Sequence, residues 1–209
     1  GGKNIGALHG DENPQDDHFP EEWMYSVTRA RNVGREEIEE GICRIDDGTG
    51  RTLKELIEKD PGGMLGARHV FQWGSQMGVL IKLIDSKERL TIQVHPNKSM
   101  AKALFGSPFG KTECWHILDT RPEEACPCIY LGFREGISRE EWEACFQTQD
   151  IEKMISLLNR IPVKKGDTYL VKAGVPHAIG AGWLLLDVQQ PTDYTIRLER
   201  STPGGFVID

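Results

Sequence analysis

The chain has 209 residues, a formal net charge of −7 and 27% charged side chains. That length suits one sizeable core with a small appendage rather than two ordinary domains, so residues 1–209 read as a single domain. The acidic balance argues against a nucleic-acid or lipid-surface binder, and no apolar run approaches the roughly 20 residues of a membrane span.

Residues 1–20 are polar and predict a surface lead-in, with no metal signal from His9 or His18. The first ten lack the charged-then-apolar layout of a secretory signal. Five cysteines without paired spacing (Cys43, Cys114, Cys126, Cys128, Cys145) read as reduced packing thiols. Both features predict a cytoplasmic protein. Residues 21–27 predict a short strand with Trp23 buried, and 41–45 a second within a charged loop. Thr52-Leu53-Lys54-Glu55 is a capping box, opening a helix whose stripe of Leu53, Leu56 and Ile57 is stopped by Asp60-Pro61.

Residues 79–84 predict a strongly apolar strand, and 90–96 the second arm of a hairpin after a turn. In that second arm Thr91, Gln93 and His95 share one face, so Gln93 and His95 enter the same space before Pro96 ends the ladder. Residues 97–111 read as a loop or short helix, 111–118 and 127–133 as strands. Ser138-Arg139-Glu140-Glu141 is a second capping box, which opens a helical insertion over about 138–160 that Pro162 closes. Strands follow at 168–172, 183–190 and 194–199. Many strands with turn residues between them predict a mostly-β sandwich or barrel, whose interior can hold a small-ligand site.

Glu113 shares a strand face with Lys111 and Trp115. His177 lies in a tight connection shaped by Gly174, Pro176 and Gly180. Gln93, His95, Glu113 and His177 together offer an amide, two imidazoles and a carboxylate. That set suits Zn²⁺ or another borderline divalent ion with one position left for water or a substrate oxygen. By spacing alone each histidine reads equally as a satisfied barrel residue. His95, Glu113 and His177 would also serve a non-haem iron oxygenase. His116 alternates away from Glu113 and reads as packing or surface, Lys98 as solvated, and Trp115 as a pocket wall or core residue.

Gln93-Val94-His95-Pro96, Gly110-Lys111-Thr112-Glu113-Cys114-Trp115, the stretch from Ala173 to Gly182 and Leu185-Leu186-Asp187-Val188-Gln189-Gln190 resemble, in this order, motifs of type I phosphomannose isomerases. The resemblance extends over about residues 21–200. It implies a cupin-type jelly-roll barrel, a zinc ion on Gln93, His95, Glu113 and His177, and interconversion of mannose 6-phosphate and fructose 6-phosphate through an enediol(ate). It also implies that Arg197 and Asp193 belong to the active site; spaced four apart on an extended strand, the two would share a face. Arg197 would stabilise an enediolate or bind phosphate oxygens, and Lys111 is the second cation expected there. Two departures stand out. The family usually continues Arg-x-Tyr-Asp where this chain has Arg197-Leu198-Glu199-Arg200. It also usually carries a further β-rich region towards the C-terminus, for which little room follows Arg197. These departures keep open the alternative of a non-catalytic metal-bearing cupin that binds a sugar or regulates a partner. The sequence sets no oligomeric state.

Overall fold

Two five-stranded antiparallel sheets face each other in the computed structural model, which describes every residue except 33, 36, 124, 125, 206, 208 and 209. With strands numbered in chain order, the first sheet runs β1 (Glu21–Met24), β2 (Leu80–Ser86), β9 (Trp183–Gln189), β4 (Glu113–Thr120), β7 (Thr168–Val171). The second runs β10 (Ile196–Arg197), β3 (Gln93–Val94), β8 (His177–Ile179), β5 (Cys128–Phe133), β6 (Leu158–Pro162).

Strict alternation in β4 shows why the sheets pack as they do. Glu113, Trp115 and Ile117 are buried, while Cys114, His116 and Leu118 between them are half-exposed. The inward set meets Ile129 and Ile179 of the second sheet, with Ile84, Trp183 and Leu185 completing the cluster. Each such aliphatic side chain contributes about 1.5–3 kcal/mol on burial. Register then determines what lies beside what. Ile117 is level with Leu185 and Ile84; one row along, Trp115 is level with Asp187 and Lys82; one further, Glu113 is level with Gln189. The inner face therefore turns from apolar to ionisable within two rows.

Several sequence expectations are corrected. The segments at 79–84 and 90–96 do not form a hairpin, because β2 lies between β1 and β9 while β3 lies between β10 and β8. The connection crosses from one sheet to the other, anchored where the Ser86 hydroxyl donates to the Gly180 carbonyl at 2.5 Å. Period-two patterning is the same for either arrangement. The N-terminal lead-in contains a helix, α1 (Lys3–Leu8), whose Ile5 packs on Leu83 and Leu184. The Gly2 and Asn4 amides donate to the Asp85 carboxylate, which Arg121 also holds at 2.8 Å.

The Thr52–Glu55 capping box opens α2 (Leu53–Lys59) as expected. Asp60-Pro61 ends that helix but starts another: the Asp60 side chain caps α3 (Pro61–Leu65), Pro61 fills its first turn, and α4 (Ala67–Trp73) follows. The 97–111 stretch contains α5 (Lys98–Phe105), and the insertion contains α6 (Arg139–Thr148) and α7 (Ile151–Ser156). The insertion ends at α7, since residues 158–162 form β6 against β5 rather than a helix closed by Pro162. Residues 41–45 contribute one isolated bridge, Arg44 to Thr52, and Trp23 is only half-buried.

Candidate metal centre

Three separate segments deliver the four expected side chains to one place. Gln93 on β3 pairs in register with His177 on β8, His95 follows β3, and Glu113 faces them from β4 on the opposite sheet. His177 thus opens a strand rather than sitting in a connection. His95 Nε2 is 3.1 Å from Glu113 Oε1, His177 Nε2 is 4.0 Å from Glu113 Oε2, and the Gln93 amide nitrogen is 3.4 Å from His177 Nε2. One ligand atom each from His95, Glu113 and His177 fall within 4.8 Å of one another, and all three residues are buried.

The hydrogen bonds determine the tautomers. His95 Nδ1 faces the Tyr194 carbonyl at 3.2 Å and His177 Nδ1 the Val175 carbonyl at 2.8 Å. Each Nδ1–H donates outward, which leaves an Nε2 lone pair aimed at Glu113. Burial, then Lys111, lowers the His95 imidazole; burial, then His95, lowers His177 to about 4. Both are neutral at neutral pH. Burial alone would raise the Glu113 carboxyl, but the positive charge of Lys111, foremost, outweighs it and holds the group below its usual range. Lys111 Nζ lies 3.3 Å from Glu113 Oε1, and the Trp115 indole donates to Oε2 at 3.0 Å.

Lone pairs from two imidazoles and a carboxylate therefore converge on one buried point. Despite its approach to Glu113, His95 Nε2 has no hydrogen-bond partner. Buried acceptors facing one another are costly unless a cation or donor lies between them. The residues present fit a divalent metal ion.

The wider surroundings are a cavity of about 1440 Å³, lined among others by Glu21, Lys82, Lys111, Glu113, Asp187 and Arg197. Lys111 is buried rather than solvated and also donates to the Thr195 hydroxyl at 3.3 Å. Arg197 is exposed and sits opposite Gln93 in the β10–β3 ladder. Asp193 does not share a strand face with it. The chain bends after Pro191, where the Thr192 amide donates to the Gln190 carbonyl at 2.7 Å, and the strand begins only at Ile196. Asp193 instead accepts from the Arg31 amide at 2.9 Å and lies 3.8 Å from Lys82 Nζ.

Two ionisable residues went unread in the sequence. Lys82 is buried in β2, 3.4 Å from Glu21 and 4.2 Å above the Trp23 ring centroid. Burial would lower its ammonium, but Glu21 and Asp193 prevail and raise it. Asp187 is buried in β9 with one oxygen unpartnered; burial, then the charge of Glu113, pushes its carboxyl well above the ordinary range. The available signal was a single charge inside each apolar run, Leu80-Ile81-Lys82-Leu83-Ile84 and Leu184-Leu185-Leu186-Asp187-Val188.

Comparison with known proteins places this site in a family. Residues 2–121 match the phosphomannose isomerase type I catalytic domain. The mannose-6-phosphate isomerase ManA of Bacillus subtilis is 33% identical over 178 residues, which is 84% of this chain and 50% of that protein. The mannose-6-phosphate isomerase of Streptococcus mutans is 38% identical over 57% of this chain and 35% of its own length. The crystal structure of the B. subtilis mannose 6-phosphate isomerase superposes with a TM-score of 0.74 at 30% identity, covering 100% of this chain and 61% of that one. The sheets thus form the expected cupin-type barrel, and the chain spans about half the length of the B. subtilis relative. This chain belongs to the type I phosphomannose isomerase family.

Proposed function

We propose that the chain is the single catalytic domain, residues 1–209, of a cytoplasmic mannose-6-phosphate isomerase that interconverts mannose 6-phosphate and fructose 6-phosphate. The observation that carries this reading is the convergence of His95, His177 and Glu113 lone pairs on one buried point, in a family whose relatives bear that name. Zinc would be held by both Nε2 atoms, the Glu113 carboxylate and Gln93, whose amide must turn its oxygen inward; amide orientation is an assignment from bonding partners. When bound, the ion supplies a Lewis acid for the sugar oxygens.

The remaining steps fall to the chain's own residues. Asp193, 3.8 Å from Lys82 Nζ, takes the proton from C2 of the aldose. Asp187, kept protonated by burial, gives its proton to the carbonyl oxygen on C1, so that an enediol forms. Return of the first proton to C1, with loss of the O2 proton to Asp187, completes the ketose and restores both carboxyl groups. Lys111 and Arg197 supply positive charge as oxygen becomes anionic. The altered residues after Arg197 do not favour a non-catalytic reading. Buried Glu199 accepts from Arg89 at 2.5 and 3.0 Å and from the Ile92 amide at 2.6 Å, so it braces the strand pair that carries Gln93 and Arg197.

The deciding experiment is a coupled assay of mannose 6-phosphate conversion with and without chelator, alongside metal analysis. Turnover that chelator abolishes and zinc restores is expected. A metal-loaded protein without turnover would end the isomerase reading, and oxygen consumption by an iron-loaded protein would replace it.

A further inference from the structure

The cavity's cations differ in whether a carboxylate already neutralises them. Lys82 lies near Glu21 and Asp193, Lys111 near Glu113, Arg89 near Glu199 and Lys87 near Asp16. Among the described residues, Arg31 and Arg197 are the cavity-lining cations that enter no ion pair. They approach from opposite sheets. β1 is one edge of the first sheet and β10 one edge of the second; Glu21 and Trp23 of β1 and Arg197 of β10 all line the cavity. Arg31 lies a few residues beyond β1 and is exposed at the rim.

Arg31 is exposed yet held in place. Its amide donates to Asp193 at 2.9 Å, its Nη2 donates to the Tyr194 hydroxyl at 3.1 Å, and its guanidinium lies 4.7 Å from the Tyr194 ring centroid. Tyr194 is fixed in turn by stacking on Phe105, with centroids 4.3 Å apart and planes 10° off parallel. The same tyrosine's carbonyl accepts from His95 Nδ1. One residue thus joins the His95 imidazole through its backbone and Arg31 through its hydroxyl.

A hexose 6-phosphate carries two centres of negative charge at opposite ends of its carbon chain. One is the charge that develops on O1 and O2 during isomerisation; the other is the permanent charge of the phosphoryl group. The two unneutralised guanidiniums match that division. Arg197 is level with Gln93 of the metal cluster, whereas Arg31 is bonded to Asp193 and Tyr194. A guanidinium held by a phenol presents a planar fork, the geometry suited to phosphate oxygens.

We propose that Arg31 is the phosphoryl anchor of the substrate, so that the cavity selects a phosphate monoester at the end of the sugar remote from Glu113. This rests on the isomerase reading for the sugar end only. The test is calorimetric titration of the purified, metal-loaded protein with sorbitol 6-phosphate, which has no carbonyl and cannot turn over, and with inorganic phosphate. Arg31→Ala is expected to weaken both by about tenfold or more, with Arg31→Lys recovering part through charge without the fork. Binding of unphosphorylated sorbitol should not distinguish the variants. In the assay, the loss for mannose 6-phosphate should fall on KM rather than kcat. A sorbitol 6-phosphate affinity within twofold of the parent in Arg31→Ala, with the thermal transition unchanged, overturns the anchor even if the protein is an active isomerase. Arg31-dependent phosphate binding in a protein that never isomerises mannose 6-phosphate would uphold the anchor and end the isomerase reading.

Discussion

The two ends of the barrel interior are built from the same strands and do opposite things. At one end Ile84, Ile117 and Leu185 of the first sheet meet Ile129 and Ile179 of the second in a hydrophobic cluster. Within two rows along β4, the same inner face carries Lys82, Asp187 and then Glu113, which faces His95 and His177. The apolar end gains stability from burial and close packing. The ionisable end buries charges whose desolvation offsets much of their mutual attraction, so stability alone does not explain it. The difference implies a separable effect of mutation: stability from one end, chemistry from the other.

The largest effect tests the ionisable end directly. His177→Ala removes one imidazole, and bound divalent metal should fall from about one per chain to near zero by elemental analysis, with turnover lost as well. Retained metal would remove His177 from the ligand set. Arg197→Ala should keep the metal and lose on the order of a hundredfold in kcat, because in the proposed mechanism the guanidinium acts on the substrate rather than the ion. The contrast between the ends is sharpest in a pair of variants. Burial pushes the Asp187 carboxyl well above its ordinary range, so the isosteric Asp187→Asn should leave chemical denaturation within about 0.5 kcal/mol of the parent while kcat falls roughly a hundredfold. Ile117→Ala should do the reverse, costing about 3 kcal/mol through the cavity it leaves, with the remaining folded enzyme turning over normally. Equal stability losses from both would erase the distinction.

How much of this could be read in advance follows from the same contrast. Gln93 and His95 were legible because they alternate with apolar neighbours on a strand, Glu113 because it shares a strand face with Lys111 and Trp115, and His177 because its surroundings fit a motif. Lys82 and Asp187 were not. β2 is covered on both faces, by α1 outside and the ionisable rows inside, so alternation is lost and the lysine looks accidental. The hairpin expectation failed because a turn between two apolar strands carries no mark of which sheet the second will join. Asp193 failed because Pro191 and its neighbours end the extended geometry that the four-residue spacing assumed. α3 and α4 bury no residue, so no apolar stripe announced them.

The smallest expected effect lies outside both ends, where α1 and its loop meet the first sheet. Asp16 accepts from the Arg121 guanidinium at 2.7 Å and lies 3.3 Å from Lys87; the Arg121 hydrogen bond, against burial, holds its carboxyl below the usual range. A carboxyl depressed in the folded state contributes stability above its unfolded pKa of about 3.9, and that contribution is lost as pH falls through the lower folded value. Asp16→Asn should therefore destabilise the protein modestly at pH 7 and hardly at all at strongly acid pH, so that its stability curve and the parent's converge below pH 4. Curves that stay parallel through the acid range would mean that Asp16 holds α1 by shape and not by charge. Neither outcome should move kcat, because Asp16 and Arg121 bind the N-terminal segment to Asp85 rather than to any group of the metal cluster.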